Sequence, residues 1–190
     1  ESDHSLITLN GIPIKDHSTP SGADDFSQHN LIGIDYLTII KGPMSNTHGP
    51  NAAGGVIDMH TDTYGQSYID LSIGSNNLVS KEISLVDNDQ TDRHNFKITA
   101  NQTSTDGVSV YAEGEEKDPH EANTFNISYD YIGNKYILKL NKIKDTNEMS
   151  LDSGSADVLN YTGDWEWNNN QIDFQMKNTR VVLNLSLIHI

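Results

Sequence analysis

The sequence has 190 residues, a formal net charge of −15, no cysteine and 35% hydrophobic residues. The missing cysteines exclude disulfide frameworks and thiolate metal sites, and the acidic balance argues against nucleic-acid binding, which needs a basic surface. No apolar run approaches the ~20 residues of a membrane helix, which excludes helical spans but not a β-barrel, whose strands alternate.

Two textures divide the chain near residues 61–65. Residues 1–63 hold short apolar bursts broken by Gly and Pro, and residues 64–190 hold longer alternating segments. In the first zone residues 5–9 read as a strand, followed by the strong turn signal Asn10-Gly11. Ile12-Pro13-Ile14 resumes the extended chain, with Pro13 tolerated at a sheet edge. A polar loop covers residues 15–25. Residues 34–40, rich in β-formers, make the next strand, which stops at Lys41-Gly42-Pro43. Gly49 to Gly55 is a small-residue stretch, and residues 56–60 are a last short strand.

The second zone contains seven candidate strands, each with one apolar and one mostly polar face. Their apolar sets are Ile69/Leu71/Ile73, Val79/Ile83/Leu85 (with Lys81 on the same face), Phe96/Ile98/Ala100 and Phe125/Ile127/Tyr129/Tyr131. The remaining three are Tyr136/Leu138/Leu140, Tyr161/Trp165/Trp167 and Ile172/Phe174/Met176. Gly133-Asn134 and Asn168-Asn169-Asn170 read as tight turns, while residues 105–121 and 145–158 read as long loops. Short and long connections therefore alternate, as in a membrane barrel with short turns at one end and long loops at the other. Tyr131 and Trp167 fall beside the short turns, where an aromatic girdle is expected. A soluble sandwich or barrel also alternates apolar and polar residues, so the pattern alone leaves both architectures open.

Three blocks in the first zone carry a resemblance. Residues 6–16, LITLNGIPIKD, resemble the "vLiDGvPinD" segment of TonB-dependent receptor plugs. Residues 34–43, IDYLTIIKGP, are similar to their "IErIEVlrGP" segment, and residues 48–61, HGPNAAGGVIDMHT, to "lYGsnAiGGVIniiT". Order and spacing match over about fifty residues. Asn10 stands where Asp is usual, Lys41 where Arg is usual and His48 where Tyr is usual. The Lys41 exchange keeps the charge but loses the planar guanidinium fork.

The resemblance implies a mainly β chain. The C-terminal part of a plug (residues 1–63) is followed by about seven antiparallel strands opening a transmembrane β-barrel (residues 64–190). It implies a receptor in the outer membrane of a Gram-negative bacterium, lipid around the barrel, TonB as energy-coupling partner through an N-terminal box, and a small-molecule nutrient as cargo. The motif residues expected to shape the plug are Asn10, Gly11, Pro13, Lys41, Gly42, Pro43, Gly49, Gly54 and Gly55, with Gly54-Gly55 suited to close approach where the plug passes under the wall. Asp24-Asp25-Phe26-Ser27 and Thr105-Asp106-Gly107 are similar to cobalamin-receptor-like members, with iron-siderophore receptors as the alternative within the family. In cobalamin receptors loop aspartates bind calcium, and the equivalents here are Asp106, Asp118, Asp145 and Asp152. Oxygen ligands from two loops suit the six to eight that calcium takes.

Nothing points to catalysis: no G-x-S-x-G elbow appears, Gly49 to Gly55 lacks the Lys-Ser/Thr of a phosphate loop, and the eight histidines are scattered without zinc spacing. The Trp165/Trp167 pair reads as membrane-belt residues. The polar start, Glu1-Ser2-Asp3-His4, lacks signal-peptide character, which is expected of a chain whose natural start lies upstream. The apolar run of residues 181–190 departs from the loop expected after Arg180 and reads as foreign to the pattern.

Overall fold

Asn10 and Gly11 both adopt left-handed backbone angles, φ 52° and 78°. That is the geometry of a two-residue type I′ hairpin, whose twist matches the flanking strands. It folds β2 (Ile12–Pro13) back onto β1 (Ser5–Leu9), with Thr8 opposite Pro13. β4 (Gly55–His60) runs parallel to β1 on its other side and antiparallel to β3 (Tyr36–Lys41), giving a four-stranded sheet of order β2-β1-β4-β3. Pro13, which has no N–H to donate, lies on the edge strand. The computed structural model describes residues 4–14, 31–89, 91, 93–108, 117–152 and 160–189. The polar loop of residues 15–25 and the Asp24–Ser27 motif lie outside the described residues.

A one-turn helix, α1 (Ser45–His48), precedes the small-residue stretch, which itself contains a 3-10 turn at Pro50–Ala52. Gly54 and Gly55 are tight for a different reason from the one expected. A Cβ on Gly55 would sit 2.4 Å from the Ile40 carbonyl oxygen, and one on Gly54 would sit 3.0 Å from that of His4. The close approach is therefore between neighbouring strands of the first sheet, not between that sheet and the wall.

Among the described residues the second sheet has seven strands, all antiparallel, in sequence order. They are β5 (Tyr68–Ile73), β6 (Val79–Asn88), β7 (His94–Thr105), β8 (His120–Ile132), β9 (Tyr136–Asp152), β10 (Asn160–Met176) and β11 (Thr179–His189). The strand count matches expectation, but its make-up differs. Asn168-Asn169-Asn170 is no turn; it lies inside β10, which fuses the two strands assigned to residues 161–167 and 172–176. The turn follows Met176, where Lys177 takes φ 46°. Residues 145–152, expected in a long loop, extend β9. The apolar tail supplies the seventh strand through residue 189, Thr179 pairing with Met176. Asparagine misleads in this region because these asparagines line a strand rather than bend one.

The faces of this sheet are inverted relative to a soluble protein. Ile69 is 80% exposed, Ile73 78% and Leu185 72%, whereas Asn95, Thr99, Asn126, Ser128, Asp145 and Asn169 are buried. A soluble sandwich would bury the apolar face. This sheet turns it outward and packs its polar face on the first sheet, as the wall of a membrane barrel does.

The outward apolar band also runs diagonally. A register row through Leu71 meets Lys81, Gln102, Asn123, Thr146 and Glu166, all polar. The apolar residues of later strands lie closer to the short-turn end: Leu85, Ile98 and Ile127 share one row, and Leu138 and Phe174 share another, four residues nearer the short turns. By β10 the band has moved about eight residues in five strand steps, roughly 5 Å per strand against a spacing of about 4.8 Å. A band level with a membrane crosses the register this way when strands tilt by roughly 45°.

Aromatic rings close the band at the short-turn end. His94 and Tyr131 have centroids 5.0 Å apart, Tyr131 and Tyr136 5.1 Å, and Tyr136 and Phe174 5.9 Å. Tyr131 thus stands in the girdle position. Trp167 does not: it points inward and is 2% exposed.

Candidate functional site

The inner face of the wall is mostly polar, and the first sheet docks there through one apolar anchor. Trp167 and Ile143 of the wall pack with Ile7, Leu9, Ile14 and Met59 of the first sheet, with Ile34 alongside. Burying that indole contributes on the order of 2–3 kcal/mol. The anchor explains the inward Trp167: residues 167, 169 and 171 share the inner face, while Ile172, Phe174 and Met176 share the outer one. The apolar face therefore changes side within β10, and alternation read residue by residue misses the switch.

Around the anchor lies a seam of polar contacts. Gln171 Nε2 donates to the Leu9 carbonyl at 3.0 Å, and its Oε1 accepts from Asn10 Nδ2 at 3.2 Å. Asn126 Nδ2 donates to the Gly33 carbonyl at 3.1 Å, and Asn141 Nδ2 to Thr61 Oγ1 at 3.3 Å. Lys97 pairs with Asp35 just ahead of β3. These contacts come from residues whose only sequence signal was a polar inner face.

At the short-turn end the seam opens into a cavity of about 350 Å³. Asp58 organises its floor. Asp58 Oδ1 accepts from Thr8 Oγ1 at 2.7 Å and from the Gly11 N–H at 2.9 Å, and Oδ2 lies 3.2 Å from His60 Nε2. The His60 ring stacks on Tyr36 at 4.3 Å. From the wall, Lys139 pairs with Asp130 at 2.9 Å, and Arg180 holds Asp173 through Nε at 3.1 Å and Nη2 at 2.7 Å. The interface is thus built of hydrogen bonds and ion pairs that water can replace, around a small apolar centre. Such a contact can open and close without chemistry on either side.

The motif residues divide between two places. Asn10 and Gly11 reach the seam: Asn10 Oδ1 accepts from the Thr61 N–H at 3.0 Å and Nδ2 donates to Thr61 Oγ1 at 2.9 Å. Lys41, Gly42, Gly54 and Gly55 gather at the other end of the first sheet. There Lys41 is opposite Gly55 and the Gly42 N–H donates to the Gly54 carbonyl at 3.2 Å. Pro43 leads into α1, and Gly49 at φ 94° separates α1 from the 3-10 turn.

Among the described residues, Asp145 stands apart from Asp106 and Asp118. Asp106 and Asp118 both lie at the base of the β7–β8 connection, where the backbone of Gly107 runs so close to that of Asp118 that a Cβ would lie 1.8 Å from the Asp118 carbonyl oxygen. Asp106 is held by Lys117 Nζ at 2.9 Å and Asn77 Nδ2 at 2.8 Å, and the Lys117 bond draws its carboxyl below the usual range. Asp145 is instead buried on the inner face, accepting from Thr124 Oγ1 at 2.9 Å. Its partner Thr124 is four residues down β8 from His120, roughly 13 Å from that loop. Asp152 ends β9, its side chain outside the described residues. Among the described residues, no three His, Cys, Asp or Glu side chains stand within reach of one metal ion.

Residues 1–56 match the TonB-dependent receptor plug domain. Over 60 residues the chain is 38% identical to the vitamin B12 transporter BtuB of Photobacterium profundum, covering 32% of this chain and 10% of that protein. The fold is similar to the open form of the ferric-catecholate import receptor Fiu of E. coli K12. That likeness has a TM-score of 0.74 at 19% identity and covers 98% of this chain and 32% of Fiu. It is also similar to the copper transporter OprC, with a TM-score of 0.69 at 16% identity over 90% of this chain and 26% of OprC. The chain therefore spans a third or less of the length of these proteins.

Proposed function

We propose that the chain is a plug segment leading into seven barrel strands of a TonB-dependent receptor, and that the protein imports a scarce nutrient across the outer membrane of a Gram-negative bacterium. The observation that supports this most is the plug–wall seam, a polar contact that water can replace. Uptake then means binding on the long-loop side, displacement of the plug by energy delivered through TonB, and passage along the wall, with no bond made or broken.

For the cargo we propose a cobalamin-like molecule. The support is the 38% identity shared with a vitamin B12 transporter over 60 residues, together with the resemblance of Thr105-Asp106-Gly107 to cobalamin-receptor-like members. An iron-siderophore complex is the second reading, favoured by the likeness to a ferric-catecholate receptor. Calcium belongs to the cobalamin reading, through Asp106 and Asp118. The test is uptake of labelled cobalamin and of ferric catecholates by cells producing the protein, with and without TonB. TonB-dependent accumulation of one cargo is the expected result; equal uptake in cells lacking TonB would overturn the reading.

A further inference from the structure

Asn169 of β10 breaks the pattern of the seam. Its side chain is fully buried, yet neither its amide nitrogen nor its amide oxygen has a hydrogen-bond partner. It lies on the inner face between Trp167 and Gln171, both of which touch the plug, and directly opposite Ile143. Neighbouring amides keep at least one end engaged: Gln171 uses both ends, and Asn141, opposite it, donates through Nδ2 although its Oδ1 is unpaired. A buried amide without partners forfeits its hydration and receives nothing in return. An aliphatic side chain suits the same surroundings, since Ile143 across the ladder is itself apolar and buried.

We propose that Asn169 is a built-in release point of the plug. While the plug is docked, the amide is dry and unpaired. When the plug leaves the wall, water reaches the amide and satisfies it. Asn169 therefore favours the displaced state, whereas Trp167, two residues away, gains its apolar burial only in the docked state. The two side chains act in opposite directions at one spot, and the wall holds the plug firmly enough to seal yet weakly enough to open. The inference rests on the plug being displaced during uptake, as proposed above.

The test compares wild type, Asn169→Leu and Trp167→Ala in the complete receptor, purified in detergent, by amide hydrogen exchange of β1 and β4. Exchange reports plug opening without ligand, TonB or transport. Asn169→Leu is expected to slow exchange about tenfold, equivalent to about 1.4 kcal/mol, and Trp167→Ala to speed it. Asn169→Val, smaller than leucine, is expected to slow exchange as well and covers the case in which leucine overpacks. Unchanged or faster exchange in both aliphatic variants would overturn the proposal and make the amide a structural group. Slower exchange with undiminished uptake would leave Asn169 as a release point and refute displacement as the transport step.

Discussion

Lys97 of the wall strand β7 donates to Asp35 Oδ1 while the Asp62 N–H donates to Asp35 Oδ2 at 2.7 Å. One carboxylate thus ties the wall, the start of β3 and the link into β5. The ammonium is almost wholly buried, while its partner carboxylate keeps part of its surface in solvent. Lys97→Met is expected to loosen the plug by about 2 kcal/mol, less than a fully buried pair because Asp35 is partly exposed. Faster hydrogen exchange at β3 and β4 in the purified protein checks this.

Gln171 secures the hairpin end of the plug. Replacing it with leucine removes two hydrogen bonds at a buried site, those to the Leu9 carbonyl and from Asn10, a loss of about 1–3 kcal/mol. The exchange rates of the Leu9 and Asn10 amides should rise more than those near Gly55, at the opposite end of the plug sheet.

Gly55→Ala attacks the plug from within. Its φ of 150° and the 2.4 Å approach to the Ile40 oxygen leave no room for a methyl group. Strand β3 has to separate from β4, at a cost of about 2–3 kcal/mol. Yield of folded protein in the membrane fraction is expected to fall sharply, while Gly65→Ala, at an open position, serves as a control for positive-φ strain alone.

Charge placed on the outer face reads the level of the membrane. Ile127→Arg, in the middle of the apolar band, is expected to cost about 2–4 kcal/mol, and Asn123→Arg, above the band on the same strand, close to zero. Unfolding titrations in lipid vesicles separate the two. Equal costs would refute the diagonal band.

The Asp106–Lys117 pair makes a prediction about acid. With its carboxyl drawn down by Lys117 and Asn77, Asp106 contributes stabilisation that is fully present above its unfolded pKa of about 3.9. That contribution is lost as pH falls through the lower folded value. Carboxyl NMR should place the Asp106 midpoint below that of an ordinary aspartate, and Lys117→Met should return it upward. A calcium ion using Asp106 has to displace Lys117, so calorimetry should show tighter calcium binding in Lys117→Met than in wild type; no binding in either would remove calcium from the proposal.

The hairpin at Asn10-Gly11, the strands of the plug and the polarity of β5 to β8 were legible in the sequence because each rests on local chemistry: a turn that needs positive φ, or a clean alternation. β10 was not. Its apolar residues sit inward at Trp167, where they meet the plug, and outward at Ile172 to Met176, where they meet the band. A single-strand pattern cannot reveal what lies on each side, so one strand read as two joined by an asparagine turn. The seam partners were hidden for the same reason. Lys97 and Gln171 are ordinary polar residues of an inner face until the plug lies against them.

The strands outrun the apolar band by a wide margin. On β9 the outward apolar residues end at Leu140, yet the strand continues to Asp152. Twelve residues at about 3.3 Å each, tilted by about 45°, raise the rim roughly 28 Å above the band. On the import function proposed above, a cargo molecule meets protein well before it meets the lipid surface. The rim acts as a standing collar, within which capture can occur beyond a Debye length of about 8 Å from the headgroup charges.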